Sequence, residues 1–195
     1  MTAHAPRPFP KLPDKIEKIH IIGVCGTAMG SLAAMLKERG FTVRGSDAMA
    51  YPPMSDWLAE RGIDIIQGYD EKNLDWNPDL VIVGNVCRSI YGDAVAMRER
   101  GFPYLSLPEA LRYFFFADKR SLALTGTHGK TTTTSMLASI LNCGRLDPTV
   151  VIGGRLDIWG GSNAKLGQGE ILLAEADESD GSFMALSPTI AVVTN

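Results

Sequence analysis

The sequence predicts an α/β protein in which one doubly wound parallel sheet is followed by the first part of a second α/β domain. The first observation is that short apolar runs of strand type alternate with helical segments over about a hundred residues. The second is a turn of small residues, 23–30, between the first strand and the first helix. The third is a similar turn, 126–129, that is followed by Lys130 and four threonines at 131–134.

The first α/β series consists of strand-type runs that alternate with helical patterns, several of which end at glycine. Helix 31–39 has apolar residues at Leu32, Met35 and Leu36 and stops before Gly40. The run 79–84 is almost continuously apolar, which is typical of a strand buried on both faces. The predicted strands are 18–24, 41–45, 63–66, 79–84 and 103–105, and the predicted helices are 31–39, 54–61, 93–100 and 108–116.

A charged break at 117–120 precedes the second series. Its predicted strands are 121–125, 149–152, 170–176 and 189–194, and residues 135–143 are predicted to form a helix. We therefore divide the chain into a flexible lead-in over 1–17, a Rossmann-like domain over 18–117 and a P-loop-type α/β domain over 118–195. Because a parallel sheet that ends on a strand lacks its covering helix, we expect the second domain to be incomplete and the chain to be the front part of a longer protein.

Composition narrows the class of protein. A net charge of −3, with no compensating cluster of lysine and arginine, argues against a partner that is nucleic acid. No apolar run approaches the roughly 20 residues that span a bilayer, and the N-terminal stretch lacks the apolar region of a signal peptide. The three cysteines are widely spaced, as in reduced cytosolic proteins rather than in disulfide or zinc sites. We therefore expect a cytoplasmic protein with no membrane partner.

The turn at 126–129 has the layout of a phosphate-binding loop. Backbone N–H groups of such a turn and of the following helix converge on an anion. Lys130 adds a positive charge at the terminal phosphates, and the hydroxyl of Thr131 can bind Mg²⁺. A Walker A loop would have glycine at position 124, where this chain has Leu124. The alternative interpretation is an ordinary strand-to-helix connection with a solvated Lys130.

The turn at 23–30 is similar to a dinucleotide-binding loop, with Asp47 about 20 residues further on at the position that binds a ribose hydroxyl. Its glycines are spaced GxxGxxxG rather than GxGxxG, so a diphosphate nucleotide is indicated but NAD is not specified. The alternative is that the glycines serve packing alone. A nicotinamide-dependent oxidoreductase remains the competing class of enzyme, and it leaves the Lys130 loop unexplained.

An acidic run follows the third strand of the second series. It places Glu175 and Asp177 at the carboxyl end of an apolar strand, the edge where open α/β sheets bind ligands. Alternation along the strand would put both carboxylates on one face. Glu175 is the best candidate for a carboxylate that binds Mg²⁺ together with Thr131. The alternative is a solvated acidic turn.

The segment TGTHGKTTT at 125–133 resembles the ATP loop of the Mur ligase family, the peptidoglycan precursor synthetases. Segments 151–155, 174–183 and 187–195 resemble the same family, and the likeness extends over nearly everything from Lys18 onward. Within the family, the chain looks like the members that act on UDP-N-acetylmuramate. Segments 23–30, 51–55 and 84–85 favour the branch that joins a tripeptide over the branch that joins L-alanine.

The resemblance implies a ligase that uses ATP and Mg²⁺ to phosphorylate the carboxylate of UDP-N-acetylmuramate, after which an amine attacks the acyl phosphate. The acceptor would be an amino acid or tripeptide, bound by a domain that this chain lacks, so we expect little ligase activity from these residues alone. A non-catalytic nucleotide-binding module is the remaining alternative. The implied UDP-substrate contacts are Gly26, Thr27, Ala28, Met29, Ser46, Asp47, Gly84 and Asn85. The implied ATP-phosphate contacts are Gly126, Thr127, His128, Gly129, Lys130, Thr131 and Thr132, with Lys130 and His128 catalytic and with Thr131 and Glu175 on magnesium.

Overall fold

The computed structural model describes residues 9–84, 87–116, 119–156, 162–176 and 188–195. The chain forms two compact units: the first unit is Lys11–Leu107, and the second unit comprises Pro108–Asn195 with the first residues up to Pro10. The sequence placed the boundary at residue 117, whereas the units divide at Leu107. None of the helices in the described part of the chain is both long and apolar enough to cross a membrane.

The first unit is built on one five-stranded parallel sheet with the order β3-β2-β1-β4-β5. Its strands are β1 Lys18–Ile22, β2 Thr42–Asp47, β3 Asp64–Gln67, β4 Leu80–Val83 and β5 Tyr104–Ser106. Its helices are α1 Thr27–Glu38, α2 Met54–Ala59 and α3 Gly92–Glu99, with a 3-10 helix at Glu71–Leu74. The predicted doubly wound parallel sheet is confirmed.

The strand order of the first sheet reverses between β1 and β4, which is where open α/β sheets bind ligands at their carboxyl ends. Ile22 is level with Ser46 on β2 and with Val83 on β4. The loops that leave these three strands therefore begin at one edge of the sheet. Ile19, Ile21 and Ile22 are fully buried, as expected for a central strand.

The second unit contains a mixed sheet with the order β10-β6-β9-β7-β8. Its strands are β6 Arg120–Thr125, β7 Thr149–Leu156, β8 Ser162–Lys165, β9 Ile171–Glu175 and β10 Ile190–Val193. Helix α4, Leu107–Leu111, is continued by a π-helical turn at Arg112–Phe116, and helix α5 is Lys130–Cys143. The sequence prediction omitted β8, which pairs antiparallel with β7. β8 carries only polar residues and alanine, so it has no apolar period to detect.

Both helices that follow the glycine turns begin earlier than predicted. Helix α1 starts at Thr27 instead of residue 31, and α5 starts at Lys130 instead of residue 135. The sequence analysis assigned these residues to the small-residue turn and to the threonine run, and it began each helix where apolar residues recur at helical spacing. In the structure, the Thr134 hydroxyl donates to the Lys130 carbonyl at 2.8 Å, which satisfies a threonine inside the helix.

The described part of the predicted lead-in is anchored at both ends. The backbone N–H groups of Glu17 and Lys18 both donate to Asp79 Oδ2 at 2.8 Å. The ring of Phe9 stacks on Tyr113 with 6.1 Å between centroids. Hydrogen bonding to backbone N–H groups of Glu17 and Lys18 lowers the pKa of Asp79.

Candidate functional site

The turn at 126–129 has backbone angles that favour glycine at both ends. Gly126 has a φ of +130° and Gly129 a φ of +81°. Gly129 is the N-cap of α5 and has no side chain of its own to cap the helix, and the first turn of α5 contains no acidic residue. The helix therefore presents positive dipole and backbone N–H donors without a competing acidic side chain of its own. This is the arrangement that binds phosphate.

Lys130 lies over this turn. Its Nζ donates to the carbonyl oxygen of Gly126 at 2.5 Å, and the side chain is half-buried. Thr127, His128 and Thr132 are exposed around it. The lysine charge is thus held at the mouth of the loop, within reach of an anion that lies on the helix N-terminus.

The structure brings the two predicted magnesium ligands together. The Thr131 hydroxyl donates to Glu175 Oε1 at 2.8 Å, so the first turn of α5 meets the carboxyl end of β9. The neighbouring Leu173 and Ala174 are buried, and Glu175 is half-buried. Asp177, the second carboxylate of the acidic run, lies outside the described residues. Among the residues that are described, no three His, Cys, Asp or Glu side chains cluster as a metal site.

The two residues after β10 contact the turn at 126–129, which the sequence analysis did not predict. Strand β10 pairs with β6, with Val193 level with Thr125, so the residues after both strands are neighbours. The Thr194 hydroxyl donates to the His128 carbonyl at 2.6 Å and lies 3.2 Å from the Thr125 carbonyl. Asn195 Oδ1 accepts from the His128 backbone N–H at 3.1 Å. In the sequence, Thr125 ends β6 and Thr194 directly follows β10.

Gly126 is required by these contacts as well as by its backbone angle. A Cβ at this position would clash with the Thr194 hydroxyl and lie 3.0 Å from Asn195 Oδ1. Gly129 has no such neighbour, since the nearest atom to its added Cβ is 3.9 Å away. The two glycines of the loop thus serve different purposes: Gly126 allows close approach of β10, whereas Gly129 only allows the turn.

In the first unit, the loop after β1 is fastened to the end of β2. The N–H of Gly23, which has a φ of +83°, donates to the Ser46 carbonyl at 2.8 Å. Asp47 Oδ2 accepts from the Cys25 N–H at 2.9 Å, and Oδ1 accepts from the Met49 N–H at 3.0 Å. A carboxylate has about four acceptor positions, so Asp47 retains capacity for a ribose hydroxyl.

The predicted UDP contacts differ in how they are exposed. Gly26 and Thr27 are exposed at the N-terminus of α1, which has no side-chain cap, and Ala28 is half-buried. Met29 is buried, and a Cβ on Gly84 would lie 3.4 Å from its Cγ. Met29 and Gly84 therefore pack beneath the loop, and the backbone is the part of Met29 that a ligand could reach. Asn85 lies outside the described residues.

Ser46 lies below the loop in a buried polar chain that the sequence analysis did not predict. Trp76 Nε1 donates to His20 Nδ1 at 3.3 Å, and His20 Nε2 lies 3.1 Å from the Ser46 hydroxyl. The Ser46 hydroxyl donates to Asp93 Oδ2 at 2.6 Å. Because Trp76 can only donate, His20 Nδ1 must accept, and Nε2–H is left to donate to Ser46. The Ser46 side chain is thus hydrogen-bonded between His20 and Asp93, and its place near the uridine stays a prediction.

The titratable groups of this hydrogen-bonded series, His20 and Asp93, have shifted pKa values because they are buried. Desolvation, and then the positive charge of Arg44, lower the pKa of His20 to about 4. Desolvation raises the pKa of Asp93, against the opposing effect of its hydrogen bonds from Ser46 and Asn73. Both groups are therefore biased towards their neutral forms, as expected for buried titratable groups.

His20 is expected to make the first unit sensitive to acid. The pKa of His20 is about 4 in the folded state, below the unfolded value of 6.5. Its contribution to the folding stability of the first unit is therefore present above pH 6.5 and is lost as the pH falls towards 4. The loss amounts to about 3 kcal/mol over this interval. Asp93 acts in the opposite direction, since its raised folded pKa lets the folded state take up a proton first.

Comparison with a His20→Gln variant isolates the histidine. We expect the difference in unfolding free energy between wild type and this variant to change by about 3 kcal/mol between pH 7 and pH 4. Urea denaturation followed by tryptophan fluorescence measures it, in a Trp159→Phe background so that Trp57 and Trp76 report the first unit. Parallel pH curves for the two proteins would contradict the expectation.

The chain is similar to a known protein family and to curated relatives. The model of the Mur ligase family, catalytic domain, matches residues 18–117, just over half of the chain. UDP-N-acetylmuramate–L-alanine ligase of Geobacter sulfurreducens is 46% identical over 181 residues, which cover 93% of this chain and 38% of that protein. The ligase of the same name from Methylobacterium radiotolerans is 42% identical over 189 residues, covering 95% of this chain and 39% of that protein.

Solved structures of two kinds of ligase are similar to this chain. One is UDP-N-acetylmuramate:L-alanyl-gamma-D-glutamyl-meso-diaminopimelate ligase from Neisseria meningitides, with a TM-score of 0.85, 38% identity, and coverage of 92% of this chain and 60% of that one. The other is UDP-N-acetylmuramate-alanine ligase from Thermotoga maritima, with a TM-score of 0.82, 33% identity, and coverage of 91% and 41%. The chain thus spans 38% to 39% of the length of the two curated relatives named above. On the match of the family model, this chain belongs to the Mur ligase family.

Proposed function

We propose that this chain provides the UDP-substrate and ATP-phosphate sites of a peptidoglycan precursor ligase that joins an amino acid or peptide to UDP-N-acetylmuramate. The observation that carries the proposal is the convergence of Lys130, Thr131 and Glu175 at the N-terminus of α5. Amide formation from a carboxylate needs activation: transfer of the γ-phosphoryl group of ATP gives an acyl phosphate and ADP, and attack by the amine then releases inorganic phosphate. Phosphoryl transfer depends mainly on positioning and charge neutralisation, which this arrangement supplies.

The first step for the protein is to exchange internal hydrogen bonds for bonds to phosphate. Lys130 gives up the Gly126 carbonyl and donates to the terminal phosphates. The first-turn N–H groups of α5 bind the same phosphates along the helix dipole. The exposed His128 is proposed to contact the transferred phosphoryl group or the muramoyl carboxylate.

Thr131 and Glu175 fit Mg²⁺, because a hydroxyl and a carboxylate are the oxygen ligands that this ion prefers. Mg²⁺ usually takes only one or two carboxylates and completes its shell with water and phosphate oxygens, so a single Glu175 suffices. When bound, the ion would neutralise charge on the phosphates. The present hydrogen bond between the two side chains holds them in place for this purpose.

In the first unit, the N-terminus of α1 is proposed to bind the diphosphate of UDP-N-acetylmuramate. Gly26, Thr27 and Ala28 offer backbone N–H groups there, and Asp47 is placed to accept from the ribose. An oxidoreductase would leave Lys130, Thr131 and Glu175 without a role. The proposed activity is cytoplasmic, where UDP-linked precursors and ATP are available.

The acceptor is proposed as a class, either L-alanine or a tripeptide. The sequence favours the tripeptide branch, whereas the curated relatives named above are L-alanine ligases and the solved structures include both kinds. Amide formation measured with L-alanine and with tripeptide, using a full-length ligase that contains this chain, distinguishes the two branches.

Calorimetry on the 195-residue chain tests the two sites separately. We expect UDP-N-acetylmuramate to bind and NAD to give no heat; the reverse result would support the oxidoreductase alternative. ATP should bind more tightly with Mg²⁺ than without. Thr131→Val, which keeps the shape but removes the hydroxyl, should reduce this magnesium-dependent gain by about tenfold. Thr133→Val, two residues further along α5 and outside the predicted phosphate contacts, is the matched control, and an equal loss in both variants would contradict the assignment of Thr131.

A further inference from the structure

Two tyrosines stack on each other at the carboxyl end of the first sheet. The rings of Tyr69 and Tyr91 are 4.2 Å apart and inclined by only 12°. Tyr69 follows the end of β3 by two residues, and Tyr91 immediately precedes α3. Both are half-buried, with one side against the apolar cluster that includes Leu74, Ala94 and Met97. The pair therefore forms a partly exposed aromatic surface at the edge where the UDP contacts are placed.

Tyr69 is tied to the end of β2. The Gly68 N–H donates to the Asp47 carbonyl at 2.8 Å, and the phenol is hydrogen-bonded to the Ala48 backbone. Burial, and then the negative charge of Asp47, raise the pKa of Tyr69 to about 12. The phenol is therefore neutral at physiological pH, and the Asp47 charge contributes to its raised pKa.

The order of groups in a nucleotide places the base beside Tyr69. A diphosphate at the N-terminus of α1 and a ribose at Asp47 leave the base to continue past the end of β2. Strand β3 is the next strand in that direction, since the order is β3-β2-β1. Tyr69 lies two residues after the end of β3, and the Tyr91 ring stacks on one face of the Tyr69 ring. A pyrimidine ring is planar and stacks on such an aromatic surface.

We infer that the Tyr69–Tyr91 pair is the stacking surface for the uracil of the UDP substrate, with Tyr69 in contact with the base and Tyr91 holding the Tyr69 ring in position. This inference rests on the proposed function, because it requires a uridine nucleotide at the turn formed by residues 23–30. Stacking accounts for affinity towards the base, while Asp47 and the α1 N-terminus account for the ribose and the phosphates.

The test compares UDP with inorganic pyrophosphate on the 195-residue chain. Tyr69→Leu keeps an apolar side chain but removes the ring, and it should weaken UDP binding by about fivefold to twentyfold while pyrophosphate affinity stays within about twofold. Tyr69→Phe should bind UDP within about twofold of wild type. Tyr104→Leu, a tyrosine on β5 of the same unit, is the matched control and should not change UDP binding.

Nuclear magnetic resonance gives a readout that a purely structural role would not move. The uracil H5 and H6 signals of bound UDP should shift upfield with wild type and Tyr69→Phe, because they lie over an aromatic ring. An unshifted spectrum with wild type, or equal loss of UDP and pyrophosphate in Tyr69→Leu, would overturn the stacking assignment and leave the proposed function standing. A wild-type chain that binds neither UDP nor UDP-N-acetylmuramate would overturn both.

Discussion

Replacing Lys130 with methionine is expected to weaken binding of magnesium–ATP to this chain by about tenfold to one-hundredfold. Methionine retains most of the length and apolar volume of the side chain but removes the charge. A hydrogen bond to a charged group contributes about 1.5–3 kcal/mol, and each 1.4 kcal/mol corresponds to about tenfold in affinity. Lys130 already lies at the mouth of the loop, 2.5 Å from the Gly126 carbonyl, so its charge reaches a phosphate with little rearrangement.

Calorimetric titration with ATP and Mg²⁺ measures this effect. Lys165→Met is the matched control, because Lys165 lies in the same unit but pairs with Asp147 at 2.6 Å instead of the loop. Lys130→Arg should recover only part of the affinity, since arginine keeps the charge but not the compact ammonium group. If Lys130→Met binds ATP as tightly as wild type, the loop is an ordinary connection and the phosphate assignment is wrong.

Replacing Gly126 with alanine is expected to destabilise the second unit by about 3 kcal/mol and to abolish phosphate binding. A φ of +130° is strained for alanine, and the new methyl group would clash with the Thr194 hydroxyl. The loop must then move away from β10 or unfold locally. Either change displaces the N–H groups that face the anion.

Gly129→Ala separates strain from steric exclusion, because Gly129 also has a positive φ but an added Cβ there would make only ordinary van der Waals contacts. We expect this variant to lose only about 1 kcal/mol. The double variant Gly126→Ala/Thr194→Gly should recover part of the stability lost by Gly126→Ala, since the clashing hydroxyl is gone. Hydrogen exchange of buried amides in β6 and β9 measures the second unit by itself. Equal losses for the two alanine variants would show that contact with β10 is unimportant.

The boundaries of the two key helices show why local patterns are insufficient at a ligand-binding turn. Residues 27–30 and 130–134 include glycine and a run of threonines, which are poor helix formers, and the sequence analysis left them outside α1 and α5. In the structure they form the first turns of the two helices, where backbone N–H groups are most useful for binding phosphate. Packing of the whole helix on its sheet outweighs the propensity of these few residues.

Ser46 and Thr194 show the same limit for side chains. The sequence predicts Ser46 near the uridine, and the structure adds that its hydroxyl lies between His20 and Asp93. Thr194 was predicted as the end of a strand, and its contact with the His128 carbonyl depends on the pairing of β10 with β6. Neither contact can be read from neighbouring residues, since the partners are 26 to 66 positions apart in the chain.

The α/β class, the two glycine turns and the predicted roles of Lys130 and Thr131 follow from the sequence alone. These features are local, because a strand, a turn and a helix that follow one another define a phosphate-binding loop. Only the tertiary structure decided which donors face outward, which glycine admits a neighbouring strand and which tyrosines stack at the sheet edge. The physical reason is that strand pairing brings distant residues to the same edge, where burial and hydrogen bonding decide which side chains remain available to a ligand.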